Sequence, residues 1–366
     1  MHKKTKLLYA TRILGFLSFI IWCISLSPPS WRWIERLCSN NDNYGGLFTE
    51  AKVSLFKERL PSIKILKPTH PSTVDSYQVF AMGDSFLYSG RGEDFFLTFL
   101  SKELNEPIHL TYWDFPRPLT PSPVCIFKNV KETSVKQPKR IVIMECVERY
   151  IMERFLTIED CPSKPKSFGD KSIQGKAETF FRWISSDKHE KRVGFLLYNS
   201  NLTTPIIERW NTWRFNLFRI IADGTPAYSI SPPFLFTYQE ILPSLKTSYY
   251  YPHNLSQIKM IAENIQAMQI TLKSKYNADL IFLPIPNQYT ICHKIINHDP
   301  YDNFLPRLYA ELHKRNVNTI QLYETFMQSS DYPYYSTDTH WNGLGISLAV
   351  KKTVEAIVKI NLNKQN

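Results

Sequence analysis

Three residues whose types could perform acyl transfer stand in two short stretches, far apart in the chain. Asp338 and His340 lie two positions apart in Asp-Thr-His-Trp-Asn, so the carboxylate can hold one imidazole nitrogen while the other faces a substrate. Ser85 follows Gly-Asp directly after a strand-like run, where acyl-transfer enzymes expose a nucleophilic hydroxyl on a tight turn. We therefore predict Ser85 as nucleophile, His340 as general base and Asp338 as the residue that orients the base.

Each stretch also has a simpler structural explanation. Gly-Asp-Ser is common turn chemistry, and an Asp-x-His pair often caps a helix beside a histidine that is already hydrogen-bonded. The two stretches together favour catalysis, because the serine follows an early strand and the Asp/His pair precedes the last helix. A doubly wound α/β sheet brings loops in those two places to one edge.

The segments between the two stretches alternate as strands and helices do in α/β proteins. Short apolar runs predict strands, and apolar residues at helical spacing predict helices. The predicted strands are 77–82, 108–112, 139–144, 280–283 and 319–322, and the predicted helices are 95–104, 258–272, 305–315 and 346–358. Residues 160–250 break this alternation and are rich in aromatic side chains, so we predict an inserted, strand-rich subdomain there.

Further polar residues follow the predicted strands, at the edge where ligands of parallel sheets bind. Arg149 is a candidate for stabilising an oxyanion or an anionic substrate, although an ion pair with Glu145 or Glu148 explains it equally well. Asn287 and Gln288 are candidate contacts for substrate or oxyanion, although turn formation alone also accounts for them. Tyr112 could line a sugar site, although an ordered connector is the more common explanation.

The N-terminus has the pattern of a membrane anchor. Lys3, Lys4, Lys6 and Arg12 precede an uncharged run of nineteen residues, 13–31, which is long enough to cross a bilayer with the N-terminus in the cytoplasm. The run closes without a small-x-small cleavage pattern, which favours an uncleaved signal anchor. We predict an anchor at 1–32, a membrane-proximal linker at 33–75, a catalytic domain at 76–360 with the insertion at about 160–250, and a tail at 361–366.

The net charge indicates which molecules the protein could bind, and the cysteine content limits its disulfides and metal sites. The formal net charge of +11 is spread along the chain without a nucleic-acid-binding motif, so acidic glycans or phospholipid head groups are the expected partners, and an unspecialised basic surface is the alternative. Of six cysteines, Cys23 lies in the predicted anchor, and the remaining five allow at most two disulfides. No Cys/His spacing is typical of zinc, and the predicted chemistry requires neither a metal nor a diffusible cofactor.

Gly83-Asp84-Ser85-Phe86 and Asp338-Thr339-His340-Trp341-Asn342 resemble the first and last blocks of the SGNH (GDSL-type) hydrolase superfamily. The Asp-Thr-His-Trp form is similar to that of alginate O-acetyltransferase domains, and residues 144–150 are a further similarity. In those domains the Asp-x-His pair precedes the serine, whereas here the serine comes first, as in general SGNH enzymes. The resemblance therefore does not imply alginate as the substrate of this chain. The Gly-x-Asn-Asp block that helps to form the oxyanion hole in the superfamily is also absent.

The resemblance implies a three-layer sandwich with a mostly parallel, doubly wound, flavodoxin-like sheet. It also implies a periplasmic or cell-surface domain that transfers acetyl groups to polysaccharide hydroxyls. Together with the predicted anchor, this gives a single-pass protein of the bacterial inner membrane with its catalytic domain in the periplasm. Because acetyl-CoA is cytoplasmic, the acetyl donor would be an integral membrane O-acyltransferase. The alternatives are a carbohydrate acetylesterase or deacetylase and, from a different class, a non-catalytic protein for glycan binding or exopolysaccharide assembly.

Overall fold

The computed structural model describes residues 11–20, 44–66, 78–112, 122–127, 140–157, 198, 200, 203–296 and 300–362. The chain divides into two compact units, and the candidate site lies in the second. The first unit comprises Met1–Asp42, Lys52–Ser54 and Lys164–Ile220, and the second comprises Asn43–Ala51, Leu55–Ser163 and Ile221–Asn366.

A parallel sheet of four strands forms the centre of the second unit. Its strands are β2 (Val79–Gly83), β4 (Ile108–Tyr112), β5 (Arg140–Val147) and β8 (Ala278–Ile285), in the order β4-β2-β5-β8. A single parallel bridge from Phe282 to Thr319 continues the sheet beyond β8. Two antiparallel pairs lie outside it: β1 (Ile63–Ile65) with β3 (Ser89–Arg91), and β6 (Ala227–Ile230) with β7 (Pro233–Phe236).

The described part of the chain contains eleven further α-helices in addition to a helical stretch at residues 11–20. They are α1 (Gly46–Ala51), α2 (Ser85–Tyr88), α3 (Phe96–Leu104), α4 (Glu148–Phe155), α5 (Thr204–Phe218), α6 (Tyr238–Ile241), α7 (Leu255–Tyr276), α8 (Gln288–Cys292), α9 (Phe304–Lys314), α10 (Leu322–Met327) and α11 (Gly343–Leu362). Helix α7 packs on β8, α4 and α9, and α11 packs on α3 and α10. The helices therefore form two packed groups, and α7 and α10 contact β8 of the sheet.

The sequence explains the central strands and the connections between them. All eight residues of β5 and all eight of β8 are buried, as continuous apolar runs are in parallel sheets that are covered on both faces. Asn105 ends α3 and Asn277 ends α7, both in the left-handed conformation that asparagine tolerates at a helix C-terminus. Each asparagine turns the chain into the strand that follows, β4 or β8.

Most predicted elements of the α/β domain are confirmed. Strands β2, β4, β5 and β8 and helices α3, α7, α9 and α11 occupy the predicted segments. The strand predicted at 319–322 is wrong, because only Thr319 bridges to the sheet and α10 begins at Leu322. Within the predicted insertion, Thr204–Phe218 is a helix rather than strands, whereas Ala227–Phe236 contains the β6–β7 hairpin; residues 158–197 lie outside the described residues.

The predicted N-terminal regions are described only in part. No helix among the described residues is both long and apolar enough to cross a membrane, and the predicted span at 13–31 continues beyond residue 20 into residues outside the description. Within the predicted linker at 33–75, the described residues 44–60 contribute buried apolar side chains, whereas Ile63 and Ile65 of β1 are exposed. Leu47, Phe48, Ala51, Val53, Phe56 and Leu60 are all buried there.

Candidate active site

Ser85 lies where β2 ends and α2 begins. Asp84 is the N-cap of α2, and its side chain accepts a hydrogen bond from the Phe86 N–H. Gly83 is required just before it, because a Cβ there would stand 2.3 Å from a carboxyl oxygen of Glu145. The sequence Gly-Asp-Ser thus turns the chain sharply and places the Ser85 hydroxyl at the carboxyl end of the sheet.

Asp338 and His340 lie in the turn before α11. The His340 Nδ1 and an Asp338 oxygen are 2.6 Å apart, and the same oxygen accepts the backbone N–H of His340 at 3.1 Å. Trp341 anchors the turn by stacking on Phe96 and meeting Phe86 edge to face. When Nδ1–H donates its hydrogen bond to Asp338, the lone pair of a neutral imidazole lies at Nε2.

The two turns meet. The His340 Nε2 is 2.8 Å from the Ser85 Oγ, although 255 positions separate these residues in the sequence. The His340 side chain is partly exposed, whereas that of Asp338 is buried. A hydroxyl, an imidazole and a carboxylate therefore form one hydrogen-bonded chain that opens to solvent at the serine, an arrangement that allows nucleophilic catalysis.

Asp338 receives more hydrogen bonds than its histidine partner alone provides. Its second oxygen accepts from the Arg91 guanidinium at 2.5 Å and from the backbone N–H of Gly46 at 3.2 Å. Burial by itself would raise the pKa of Asp338, but His340, Arg91 and the Gly46 N–H outweigh it and lower the pKa well below its usual range. Asp338 is therefore ionised at neutral pH.

The N-terminal segment of the second unit holds this turn through backbone contacts. The Leu47 N–H donates to the Thr337 carbonyl at 3.1 Å. Gly45 lies so close to the same carbonyl that an added Cβ would be 2.0 Å from its oxygen. No side chain fits at position 45, so the glycine permits the close approach that places the Gly46 N–H at Asp338.

Buried charged groups lie beneath the Ser85 turn. The Asp84 carboxylate accepts a hydrogen bond from the Arg154 guanidinium at 3.1 Å. The Asp84 backbone N–H donates to a Glu145 carboxyl oxygen at 2.7 Å. Burial and, next, the neighbouring Asp84 raise the pKa of Glu145 well above its usual value, and its contacts with the Asp84 N–H and Arg154 offset this only in part. Burial likewise raises the pKa of the Cys146 thiol beside Arg154. The surroundings of Glu145 therefore favour its protonated form over its ionised form, while the Arg154 guanidinium pairs with Asp84.

The other predicted site residues form supporting contacts. Arg149 pairs at 3.0 Å with Glu240 rather than with Glu145 or Glu148, so both partners proposed for it from the sequence are wrong. The Asn287 side chain accepts the Arg149 N–H, and the Gln288 amide donates to the Tyr335 carbonyl. Within the described residues, none of Arg149, Asn287 and Gln288 hydrogen-bonds to Ser85 or His340. Tyr112 ends β4 in register with Gly83, and its side chain lies outside the description.

One backbone donor is free to meet an oxyanion. The Phe86 N–H is used by Asp84, but no group among the described residues accepts a hydrogen bond from the Ser85 N–H. A backbone N–H at the nucleophile is the usual first component of an oxyanion hole. No cluster of three or more metal-ligating side chains occurs in the described portion of the chain.

Arg91, Gly46 and Glu240 were not anticipated from the sequence. Arg91 lies in a short strand, Ser-Gly-Arg, with no recognisable motif, and its partner Asp338 is 247 positions away. The pair of adjacent glycines, Gly45 and Gly46, was the only local signal of a close backbone approach. Glu240 is fully buried in an aromatic-rich segment, and its partner Arg149 had nearer carboxylates in the sequence.

Comparisons with protein-family models, with curated proteins and with solved structures find no match to this chain. A function for this chain is therefore inferred from the geometry of its site and from the motif resemblance described above.

Proposed function

We propose that this protein is an extracytoplasmic O-acetyltransferase of the SGNH type that uses Ser85, His340 and Asp338 to transfer acetyl groups to polysaccharide hydroxyls. The observation that carries this proposal is the pair of contacts at His340: 2.8 Å from Nε2 to the Ser85 Oγ and 2.6 Å from Nδ1 to Asp338. These distances suit proton transfer from the serine and fixation of the imidazole tautomer.

The reaction proceeds by two displacements at one carbonyl carbon. His340 Nε2 takes the Ser85 proton as Oγ attacks the acetyl carbon of the donor, and the imidazolium then protonates the leaving group, which departs and leaves acetyl-Ser85. An acceptor hydroxyl next gives its proton to His340 and attacks the same carbon. As the bond from that carbon to Oγ breaks, the imidazolium returns the proton to Oγ and restores the serine hydroxyl. The Ser85 N–H stabilises the oxyanion in both steps, an interaction worth roughly 3 to 4 kcal/mol.

The strand order supports the finer fold that the proposal includes. Numbered by their sequence order within the sheet, β4, β2, β5, β8 and the Thr319 bridge run 2-1-3-4-5, which is the flavodoxin-like doubly wound order. Helices α3 and α11 form one packed group and α4, α7 and α9 another, in agreement with a three-layer sandwich of the SGNH kind. Ser85 follows the first strand of this order, at its carboxyl end.

Transfer is proposed over hydrolysis because of the resemblance and the predicted anchor. In this account a single-pass anchor at 1–32 places the domain in the bacterial periplasm, and an integral membrane O-acyltransferase supplies the acetyl group. The same triad also serves a carbohydrate acetylesterase, in which water replaces the acceptor hydroxyl in the second displacement.

The test supplies an aryl acetate as donor and a neutral oligosaccharide as acceptor to the full-length chain in detergent. Released phenol, acetylated oligosaccharide and free acetate are measured together. We expect acetylated oligosaccharide, loss of at least about 10³-fold in Ser85→Ala, and unchanged rates in the matched control Ser274→Ala, whose hydroxyl is exposed on α7. Phenol and free acetate without acetylated oligosaccharide would establish the esterase instead, and equal rates in Ser85→Ala would remove the catalytic role.

A further inference from the structure

Helix α5 presents a narrow apolar stripe to solvent. Ile206, Trp210, Trp213 and Leu217 are 68%, 56%, 49% and 58% exposed. Their spacing of four, three and four residues places them within an arc of about 60° on the helix surface. Phe215, on the opposite face, is fully buried, so the helix uses that face for packing and leaves the stripe uncovered.

Basic side chains border the stripe on both sides. Arg209 and Arg214 lie about 70° to either side of its centre, and neither forms an ion pair within the described residues. Glu208 is the sole acidic residue of α5, and it lies on the face opposite the stripe, where it interacts electrostatically with Lys52. The exposed half of the helix therefore combines apolar and positively charged groups without any negative charge.

The arrangement of the tryptophans favours a lipid surface over a carbohydrate. Trp210 and Trp213 stack on each other with ring centroids 5.1 Å apart, so each ring covers part of a face that a sugar would need. The aliphatic Ile206 and Leu217 extend the stripe to about 16 Å, and they have no ring face on which a sugar could stack. Tryptophan rings between arginines are typical of helices that lie in the interface of a bilayer.

We propose that α5 binds the surface of an anionic phospholipid bilayer, lying parallel to it with the stripe in the acyl boundary and the arginines at the head groups. This contact is separate from the predicted N-terminal span and does not depend on the acyl-transfer chemistry of Ser85. Apolar burial holds the helix at the interface, and the arginines make the binding selective for negatively charged lipid.

The test uses the full-length chain reconstituted in vesicles of phosphatidylcholine and phosphatidylglycerol that contain a photoreactive phospholipid. After irradiation, mass spectrometry compares lipid adducts on the peptide of α5 with those on the peptide of α7, whose Met260 and Ile270 are exposed apolar residues without a stripe. We expect adducts on α5 at several times the level on α7. Trp210→Ser/Trp213→Ser should reduce them about tenfold, and Ile270→Ser should leave them unchanged.

The charge requirement is tested with a second variant. Arg209→Gln/Arg214→Gln should reduce α5 adducts in vesicles with phosphatidylglycerol by about fivefold per arginine, and should have little effect in phosphatidylcholine alone. Adducts on α5 no more frequent than on α7, or unaffected by the tryptophan substitutions, would overturn the proposal. So would protection of Trp210 and Trp213 from oxidation by a soluble anionic polysaccharide combined with an absence of lipid adducts. All substituted side chains are exposed or half-exposed, so circular dichroism should show native folding throughout.

Discussion

The turn that carries Ser85 and the turn that carries His340 are supported by carboxyl groups whose pKa values are shifted in opposite directions. At the His340 turn, Asp338 is kept ionised because two backbone N–H groups, the imidazole and Arg91 all donate to it. At the Ser85 turn, full burial and, next, the neighbouring Asp84 raise the pKa of Glu145 well above its usual value. Both carboxyl groups are buried, so their hydrogen-bond donors and neighbouring charges make the difference.

Under the proposed mechanism, the Asp338 carboxylate serves the chemistry and the Glu145 carboxyl group serves the fold. Asp338 must remain negative to stabilise the imidazolium that forms when His340 takes a proton. Glu145 touches the backbone of the nucleophile turn and needs no charge for that contact. Environment thus assigns the two roles, as it does in enzymes whose paired carboxyl groups have pKa values pushed apart.

The largest effect is expected from removing the charge of Asp338. Asp338→Asn should lower the acyl-transfer rate by roughly 10³- to 10⁴-fold, because the amide nitrogen cannot accept the hydrogen bonds of Arg91 or Gly46 and the imidazole loses its fixed tautomer. Asp84→Asn is the matched variant at the other turn, where it keeps the cap but leaves Arg154 without its anion. It should lower stability and change the rate by less than about tenfold. Equal rate losses in the two variants would erase the distinction between the turns.

Arg91 is expected to come next. Arg91→Gln should lower the free energy of unfolding by about 3 kcal/mol, because it removes the cation of a buried ion pair, and should reduce the rate roughly tenfold to a hundredfold. Lys64→Gln on the neighbouring strand is the control, because its pair with Glu93 is exposed and should contribute little. Rates and denaturant unfolding of both variants provide the measurement.

The pH dependence of Arg91→Gln follows from the lowered pKa of Asp338. The stability that this carboxylate contributes is complete above its unfolded pKa of about 4 and is lost as the pH falls through its folded pKa. Without Arg91 the folded pKa rises, so acid unfolding should begin at a higher pH than in the wild type. An unchanged acid transition would show that Arg91 does not hold the carboxylate ionised.

The two adjacent glycines provide a finer test of the His340 turn. Gly45→Ala places a methyl group against the Thr337 carbonyl, which should destabilise the protein by about 3 kcal/mol and lower the rate by displacing Asp338. Gly46→Ala meets only an Asp338 oxygen at 3.9 Å and keeps its N–H, so its effects should be small. Thermal unfolding temperatures and acyl-transfer rates should therefore differ between Gly45→Ala and Gly46→Ala. Equal values for the two variants would mean that residues 44–51 do not hold the turn.

The smallest effect is expected at Glu145. Because its folded pKa is raised, wild-type stability should fall as the pH rises from about 4.5 toward that pKa, by at most about 1.4 kcal/mol per pH unit. Glu145→Gln resembles the protonated side chain and removes this dependence, so its stability relative to the wild type should increase with pH. Glu145→Ala should instead be destabilised at every pH by the cavity it leaves. A relative stability of Glu145→Gln that does not change with pH would contradict a raised pKa of Glu145.

The sequence patterns predicted the parts of the molecule that depend on local chemistry. Apolar runs located β5 and β8, and the Gly-Asp-Ser and Asp-x-His patterns identified the two turns that the structure brings together. The supporting residues could not be predicted, because a long-range ion pair such as Arg91 with Asp338 leaves no periodicity in the sequence. Arg149 shows the same limit, since its partner Glu240 is 91 positions away while two nearer carboxylates bind other groups.

Trapping the covalent intermediate tests the proposed mechanism most directly. The full-length chain is mixed with an aryl acetate, quenched in acid during turnover and mapped by peptide mass spectrometry. We predict one acetyl group on Ser85 in the wild type and none in Ser85→Ala. Ser89, whose hydroxyl donates to the Ser85 carbonyl on the same turn, should not be acetylated. Turnover of the aryl acetate without acetylation of Ser85, or with full activity in Ser85→Ala, would contradict the proposed mechanism.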